Sequence, residues 1–330
     1  MIKPQDKVFA NLIPQLHQDW PLEPLPRVVN LAALALGLVR STSLHVGQII
    51  TALPLVGTRD SLKKRVQRLL RNPSVAVELY YEAVARRILQ RVAAGGARIH
   101  VTIDRTEGGD FNVLYICVGW RGRALPRLWG MLGPGASSVA EQKELLAVVA
   151  SWLPPRAEVL VLGDRECGRG VLAQWARRQG WGLCLRLRAH DDVCRAGAPY
   201  FAMLPLLLPG QRRFWSSITF TPKHAVRGLT LAMYWAPTAA EPWYLLTTAP
   251  PCKLAWSSYQ KRFRIEEMLK DFKNNGRGFG LELTGGRHAD RLERLLLALA
   301  LVYTWLLLWG APVIATGQQK LVDNVPHPPP

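Results

Sequence analysis

The sequence predicts an α/β protein: a mixed sheet flanked by helices, preceded by an all-helical N-terminal domain and interrupted by a β-rich insertion. Three observations predict it. Residues 1–95 carry helical apolar spacing without a strand signal, residues 98–188 alternate short apolar runs with amphipathic helical ones, and residues 188–253 break into short strands, turns and prolines. At 330 residues and 49% hydrophobic content, the chain has ample material for a packed core.

The helical part opens with Pro21, Pro24 and Pro26, continues through an apolar segment at 28–39, and ends in a basic helix carrying Lys63, Lys64, Arg65, Arg68 and Arg71. Lys63, Lys64, Arg65 and Arg68 are candidates for contacts to duplex DNA. The run 41–70 has room for a helix-turn-helix with its turn near 54–60, although a basic solvated face fits the same pattern.

Gly95-Gly96 marks a boundary. Beyond it, 98–104 is a β-rich run ending in Asp104, 112–120 a second strand and 125–131 a third. A helix follows at 138–152, then Pro154-Pro155, an apolar strand at 158–164 ending in Asp164, a helix to 179 and a strand at 181–188. Three strands, helix, strand, helix, strand is the order of the ribonuclease-H-like fold. The insertion shows its clearest β signals at 214–215, 229–235 and 243–247. The predicted division is a helical DNA-binding domain at 1–95, core at 96–188, insertion at 189–252, the rest of the core at 253–316, and a disordered tail at 317–330.

Lys and Arg exceed Asp and Glu, 42 against 24, giving a net charge of +18 and an isoelectric point near 10.2. Such a balance points to a polyanionic partner, nucleic acid first and an anionic membrane surface second. The five cysteines (Cys117, Cys167, Cys184, Cys194, Cys252) form no Cys-x2-Cys pair and read as reduced and mostly buried. The start Met-Ile-Lys-Pro-Gln-Asp-Lys has no apolar core of a secretory signal, so the expected location is cytoplasmic, at the nucleoid. Residues 295–315 lack charge and reach the roughly 20 residues of a membrane span, but Gly310 and Pro312 leave an uninterrupted helix only at 295–309. A buried core helix is the preferred reading, with no membrane partner.

The chemistry concentrates at 259–273. No Gly or Pro occurs from 253 to 273, Ser257 and Ser258 are N-cap residues, and Asn274-Asn275-Gly276 is a stop, so one helix is predicted. Tyr259, Arg262, Glu266 and Lys273 fall within roughly 60° on a helical wheel, beside a sector of Ile265, Met268, Leu269 and Phe272 that suits a core. A carboxylate between two cations and a phenol suits phosphate and metal. Taken alone, the stripe also reads as an ordinary solvated face with a Glu266–Lys270 surface pair.

Tyr-x2-Arg-x3-Glu-x6-Lys, however, resembles the signature of the YREK branch of DDE transposases, encoded by bacterial insertion sequences. The resemblance covers about residues 98–285 and takes in Asp104 followed by Thr106, Asp164 followed by Arg165 and a helix, and Glu266 within the complete signature. Glu166 and Cys167 are less typical after the second aspartate. Three carboxylates at Asp104, Asp164 and Glu266 suffice for two Mg²⁺ ions about 3.5–4 Å apart, with Mn²⁺ as a substitute. Arg262 and Lys273 would clamp phosphates, Tyr259 would donate to one, and Arg264 with Lys261 and Lys270 would extend the positive surface. Glu107, expected in a turn beside Gly108-Gly109, and Glu267, pointing about 100° off the stripe, are read as structural or solvated. The resemblance further implies nicking at the element's ends, a hairpin intermediate helped by a base stacked on an aromatic ring, and strand transfer into target DNA. Trp215, Trp235 and Trp243 are the stacking candidates, with core packing as the alternative for each. The implied partners are terminal inverted repeats and target DNA, bound by a homodimer. Two other readings compete: a catalytically silent DNA-binding protein derived from such an enzyme, and a basic membrane-associated protein.

Overall fold

The computed structural model describes residues 6–108, 111–195, 198–202, 207–248, 254–274, 276, 278–284 and 288–318. Helices α1 (Lys7–Asp19), α2 (Leu25–Ser41), α3 (Val46–Ala52), α4 (Arg59–Arg71) and α5 (Val77–Ala94) precede strands β1 (Ile99–Gly108), β2 (Phe111–Trp120) and β3 (Arg123–Met131). Then come α6 (Val139–Trp152), β4 (Val159–Gly163), α7 (Gly170–Arg178), β5 (Gly182–Arg186), β6 (Asp192–Cys194), β7 (Phe201–Ala202), β8 (Arg212–Phe220), β9 (Val226–Tyr234) and β10 (Trp243–Thr247). The chain ends in α8 (Leu254–Gln260), α9 (Phe263–Lys273) and α10 (Ala289–Ala315).

These elements form two compact units: Met1–Tyr80 with Asn274–Thr284 and Asp290–Pro330, and Tyr81–Lys273 with Gly285–Ala289. The first unit therefore ends inside α5 rather than at Gly95-Gly96, and it takes in nearly all of α10, which the sequence reading gave to the core. Polar anchoring within the unit accounts for this. Arg294 of α10 donates to the carbonyls of Leu70 at 3.0 Å and Val75 at 3.2 Å, and an unbroken run of α10 from Leu295 to Thr304 is buried. The helix also runs through Pro312 instead of stopping at 309, because a missing N–H costs little where the flanking turn is exposed to water. Among the described residues α10 is the one helix long and apolar enough to cross a membrane, and 44% of its most apolar stretch is buried inside the protein. Between α3 and α4, residues 53–58 lie where the sequence placed a turn, but α3 is only seven residues long.

The second unit is built on one ten-stranded mixed sheet in the order β3-β2-β1-β4-β5-β10-β9-β8-β6-β7. β1 pairs antiparallel with β2 and parallel with β4, and β4 pairs parallel with β5. β2 is buried over eight successive residues, as a strand covered on both faces must be. The β-rich segment is not a separate subdomain as predicted: β10 pairs antiparallel with β5 and joins β9 and β8 to the core sheet. Left alone, β5 would present an open row of backbone donors and acceptors at the middle of an apolar surface.

The predicted single helix at 253–273 is two. α8 begins at Leu254, ahead of the serines named as caps, and the chain tightens at 261–262 into bonds spanning three residues: Arg262 N–H to the Tyr259 carbonyl at 2.9 Å and Ile265 N–H to the Arg262 carbonyl at 3.0 Å. The apolar face of α9 is the predicted one, with Ile265, Met268, Leu269 and Phe272 buried. Cys117, Cys167 and Cys184 are buried and Cys194 is half-buried, all as free thiols. Cys252, Asn275 of the predicted stop and residues 319–330 of the predicted tail lie outside the described residues.

Candidate active site

Asp104 and Asp164 stand on neighbouring parallel strands. The last paired residues of β4 and their partners are Ile103 opposite Gly163, so the two aspartates follow side by side. Asp164 directly follows its strand, but Asp104 does not end one. β1 continues four residues further, because Asp104 to Gly108 pair with residues 111–115 of β2. Glu107 accordingly lies in a strand and not in a turn, and it pairs with Arg105. After Asp164 the chain turns back tightly: its carboxylate accepts the Glu166 N–H at 2.9 Å, and a Cβ at Gly163 would lie 2.5 Å from the Cβ of Cys167. Only glycine leaves room for that turn.

The break between α8 and α9 aims Arg262 inward. Its guanidinium donates to Asp104 Oδ2 at 3.0 Å and to the Glu266 carboxylate, with side-chain exposures of 7%, 14% and 39% for Arg262, Asp104 and Glu266. The residue read as a phosphate clamp is thus a buried bridge between two of the three acids. Its plane also packs against the rings of Phe263 at 4.8 Å and Tyr259 at 5.5 Å. Burial opposes the charge on Arg262, but Tyr259, Asp104 and Glu266 outweigh it and raise the pKa above the ordinary guanidinium value. Burial pushes Asp104 up to about 6, helped by the charges of Asp164 and Glu266 and opposed by Arg262 and the Arg105 N–H.

Tyr259 is not on an open stripe. It is fully buried in a cluster with Leu160, Leu162, Cys184, Ala232, Leu245, Ala255 and Trp256, and burial lifts its phenol to about 12. The change of helix direction at 261–262 accounts for this, because the wheel that aligned the four residues assumed one straight helix. Lys273, at the far end of α9, donates to the Glu107 carbonyl at 2.8 Å. Arg264 lies against β2, where a Cβ at Gly119 would sit 2.9 Å from its Nη1. Lys261 Nζ is 3.4 Å from His100 Nε2, and burial together with Lys261, Arg264 and Arg98 depresses His100 to about 4. Lys270 holds Glu267 at 2.7 Å on the exposed side of α9.

The three tryptophans differ. Trp243 packs edge-on against Tyr259 at 5.1 Å and tilted against Phe263 at 5.8 Å, within the core cluster. Trp215 carries the Arg195 guanidinium over its ring at 5.3 Å. Trp235 lines a cavity of about 530 Å³ together with Arg165, Arg188, His190, Glu241 and Tyr244, next in sequence to Asp164. Glu241 pairs with both Arg165 and Arg186. Lys63, Lys64 and Arg68 are exposed on α4, while Arg65 is half-buried and donates to Asn30.

A brace around the aspartates escaped the sequence reading. Arg105, next to Asp104, holds Glu166 at 3.0 Å, and Glu166 also accepts the Ser137 N–H at 2.8 Å and its hydroxyl. Burial works against the Glu166 carboxylate, but Ser137 and Arg105 prevail and hold its pKa below the ordinary value. The adjacency of both residues to the aspartates was the available signal, but partners 61 positions apart do not show in a linear pattern.

Three carboxylates are hard oxygen donors of the kind Mg²⁺ prefers. In this arrangement, however, Arg262 stands between two of them, and no three His, Cys, Asp or Glu side chains among the described residues lie close enough to hold an ion. The donor type fits and the closed geometry does not.

No protein-family model and no curated protein matches the sequence. Among solved structures, the chain is similar to a piggyBac transposase in a cryo-EM synaptic complex with hairpin DNA. The overlay has a TM-score of 0.47 and 11% identity, and covers 95% of this chain and 74% of that one.

Proposed function

We propose that this protein is a DNA transposase of the YREK type, with a ribonuclease-H-like core and Asp104, Asp164 and Glu266 as its catalytic carboxylates. One observation supports the reading: two aspartates at matched positions, one within β1 and one directly after the parallel strand β4, with the signature glutamate tied to the first through the signature arginine. The strand order β3-β2-β1-β4-β5, antiparallel then parallel, is the order that reading requires.

With the Arg262 bridge released, Asp104, Asp164 and Glu266 would hold Mg²⁺, or Mn²⁺ in its place, and the ion would supply charge stabilisation to a phosphodiester. The rest is the work of this chain's own residues. The Arg105–Glu166–Ser137 brace fixes the turn that presents Asp164. Arg262 sets the spacing of Asp104 and Glu266. Trp235 is the tryptophan we assign to an extruded base, a choice supported by its lining one cavity with Arg165 and Arg188. Terminal repeats and target DNA, a homodimer on DNA, and a nucleoid location without membrane attachment belong to the same proposal.

A second reading, a catalytically silent DNA-binding protein, is favoured by the Arg262 bridge, which leaves no cluster of three acids among the described residues. Glu266→Gln separates the two. The proposal expects Mg²⁺-dependent nicking of duplex carrying the element's ends in the wild type, its loss in Glu266→Gln, and an unchanged gel shift. Nicking at near wild-type rate by the variant, or none by the wild type, overturns the catalytic assignment.

A further inference from the structure

The helical unit contains a groove of about 510 Å³ between the start of α2 and one face of α4. Its wall carries Arg27, Arg65 and Arg68, with Asn30, Ser61 and Asn72 as neutral hydrogen-bonding groups, and no acidic side chain lines it. Three guanidiniums facing one space repel one another, and an arrangement of that kind is stable only when an anion or bulk water screens it. Two of the three are positioned from behind. Arg65 donates its Nε to Asn30, which leaves its terminal nitrogens to the groove. Arg27 is held by Glu23, which is itself bound by the Tyr80 hydroxyl, so this acid is engaged away from the lining. Arg68 is exposed and makes a long contact, 3.4 Å, to the Lys64 carbonyl. Planar guanidinium forks match phosphate oxygens and are pre-organised for that purpose where lysines are not.

We propose that this groove seats a backbone phosphate of duplex DNA. The inference rests on the reading of the protein as DNA-binding but not on its catalytic assignment. The net charge of +18 sets the sign of the partner. The exposed Lys63, Lys64 and Arg71 on the same helix extend the positive surface beyond the groove, as a polymer with many phosphates would use and a single small anion would not.

The test uses the 330-residue protein in EDTA, so that cleavage plays no part and failure of the groove is distinct from failure of the chemistry. Fluorescence anisotropy with a labelled duplex is measured over a range of salt for the wild type, Arg68→Gln, Ser61→Asp and Lys7→Gln. Ser61 occupies the first turn of α4, where an acid favours the helix, so Ser61→Asp should fold while placing a negative charge in the groove. The two groove variants should each bind about tenfold more weakly at low salt, and Arg68→Gln should flatten the slope of log K against log salt by about one. Lys7→Gln, an exposed charge outside the groove, should bind within about twofold of wild type. Groove variants that bind like Lys7→Gln overturn the proposal. So does a melting rise with millimolar inorganic phosphate that the groove variants lose while keeping DNA affinity, which would mark a small-anion site. Loss of binding to phosphatidylserine vesicles with DNA affinity intact would assign the groove to a membrane and equally overturn it.

Discussion

Removing the guanidinium that bridges Asp104 and Glu266 is the most demanding perturbation of the proposed site. Arg262→Ala leaves Asp104, 14% exposed, without its counter-charge inside the unit. Deleting one partner of a buried pair costs about 3–5 kcal/mol. The Glu266 share is smaller, about 0–1 kcal/mol, because that carboxylate is 39% exposed and solvent screens it. In a unit of this size each kcal/mol lowers the melting temperature by about 2–4 °C, so a fall on the order of 10 °C is expected at neutral pH. The sign with pH follows from Asp104. Its folded pKa, about 6, lies above the ordinary 3.8, so the folded state binds the extra proton and stability from this group declines as pH rises from about 4 through 6. Without Arg262, which pulls that pKa down, the decline extends to higher pH. The deficit of Arg262→Ala against wild type should therefore be larger at pH 8 than at pH 5.5, as measured by circular dichroism melts. Mn²⁺ should also raise the melt of the variant more than that of wild type, since the acids no longer have an internal cation. Melting within about 2 °C of wild type at both pH values would refute the claim that the bridge organises the site.

Three other substitutions bear on the same unit. Glu166→Gln removes the charge that Arg105 and Ser137 hold and should cost about 1–3 kcal/mol in denaturant melts at pH 7. Because the folded pKa of Glu166 is depressed, that difference should be present above its unfolded value near 4.5 and shrink as pH falls through the folded pKa. Tyr259→Phe should leave stability and DNA affinity close to wild type, since among the described residues the buried hydroxyl has no well-formed hydrogen bond; a large loss of affinity would restore it as a phosphate contact. Phe272→Ala, at 1% exposure, should cost about 3–5 kcal/mol in equilibrium unfolding through the cavity it leaves.

What the linear chain determined is local and periodic. The strands around Asp104 and Asp164, the helix capped by Ser138, and the apolar face Ile265, Met268, Leu269 and Phe272 were all legible, because burial imposes a repeat of two or of 3.6 residues that survives without knowledge of partners. The strand of Asp104 was read too short, since polar Arg105 and Thr106 break the apolar run that β2 pairing nonetheless extends. Tertiary structure alone decided the rest. The tightened turn at 261–262 has no Gly or Pro to announce it, and by redirecting the chain it sends Tyr259 into the core and Arg262 between two acids. The pairing of β10 with β5, the placement of α10 in the helical unit and the Arg105–Glu166 brace join residues roughly 60 to 220 positions apart. Such partners are chosen by the free energy of burying charges and strand edges, which depends on what surrounds each group in space and has no signature in its sequence neighbours.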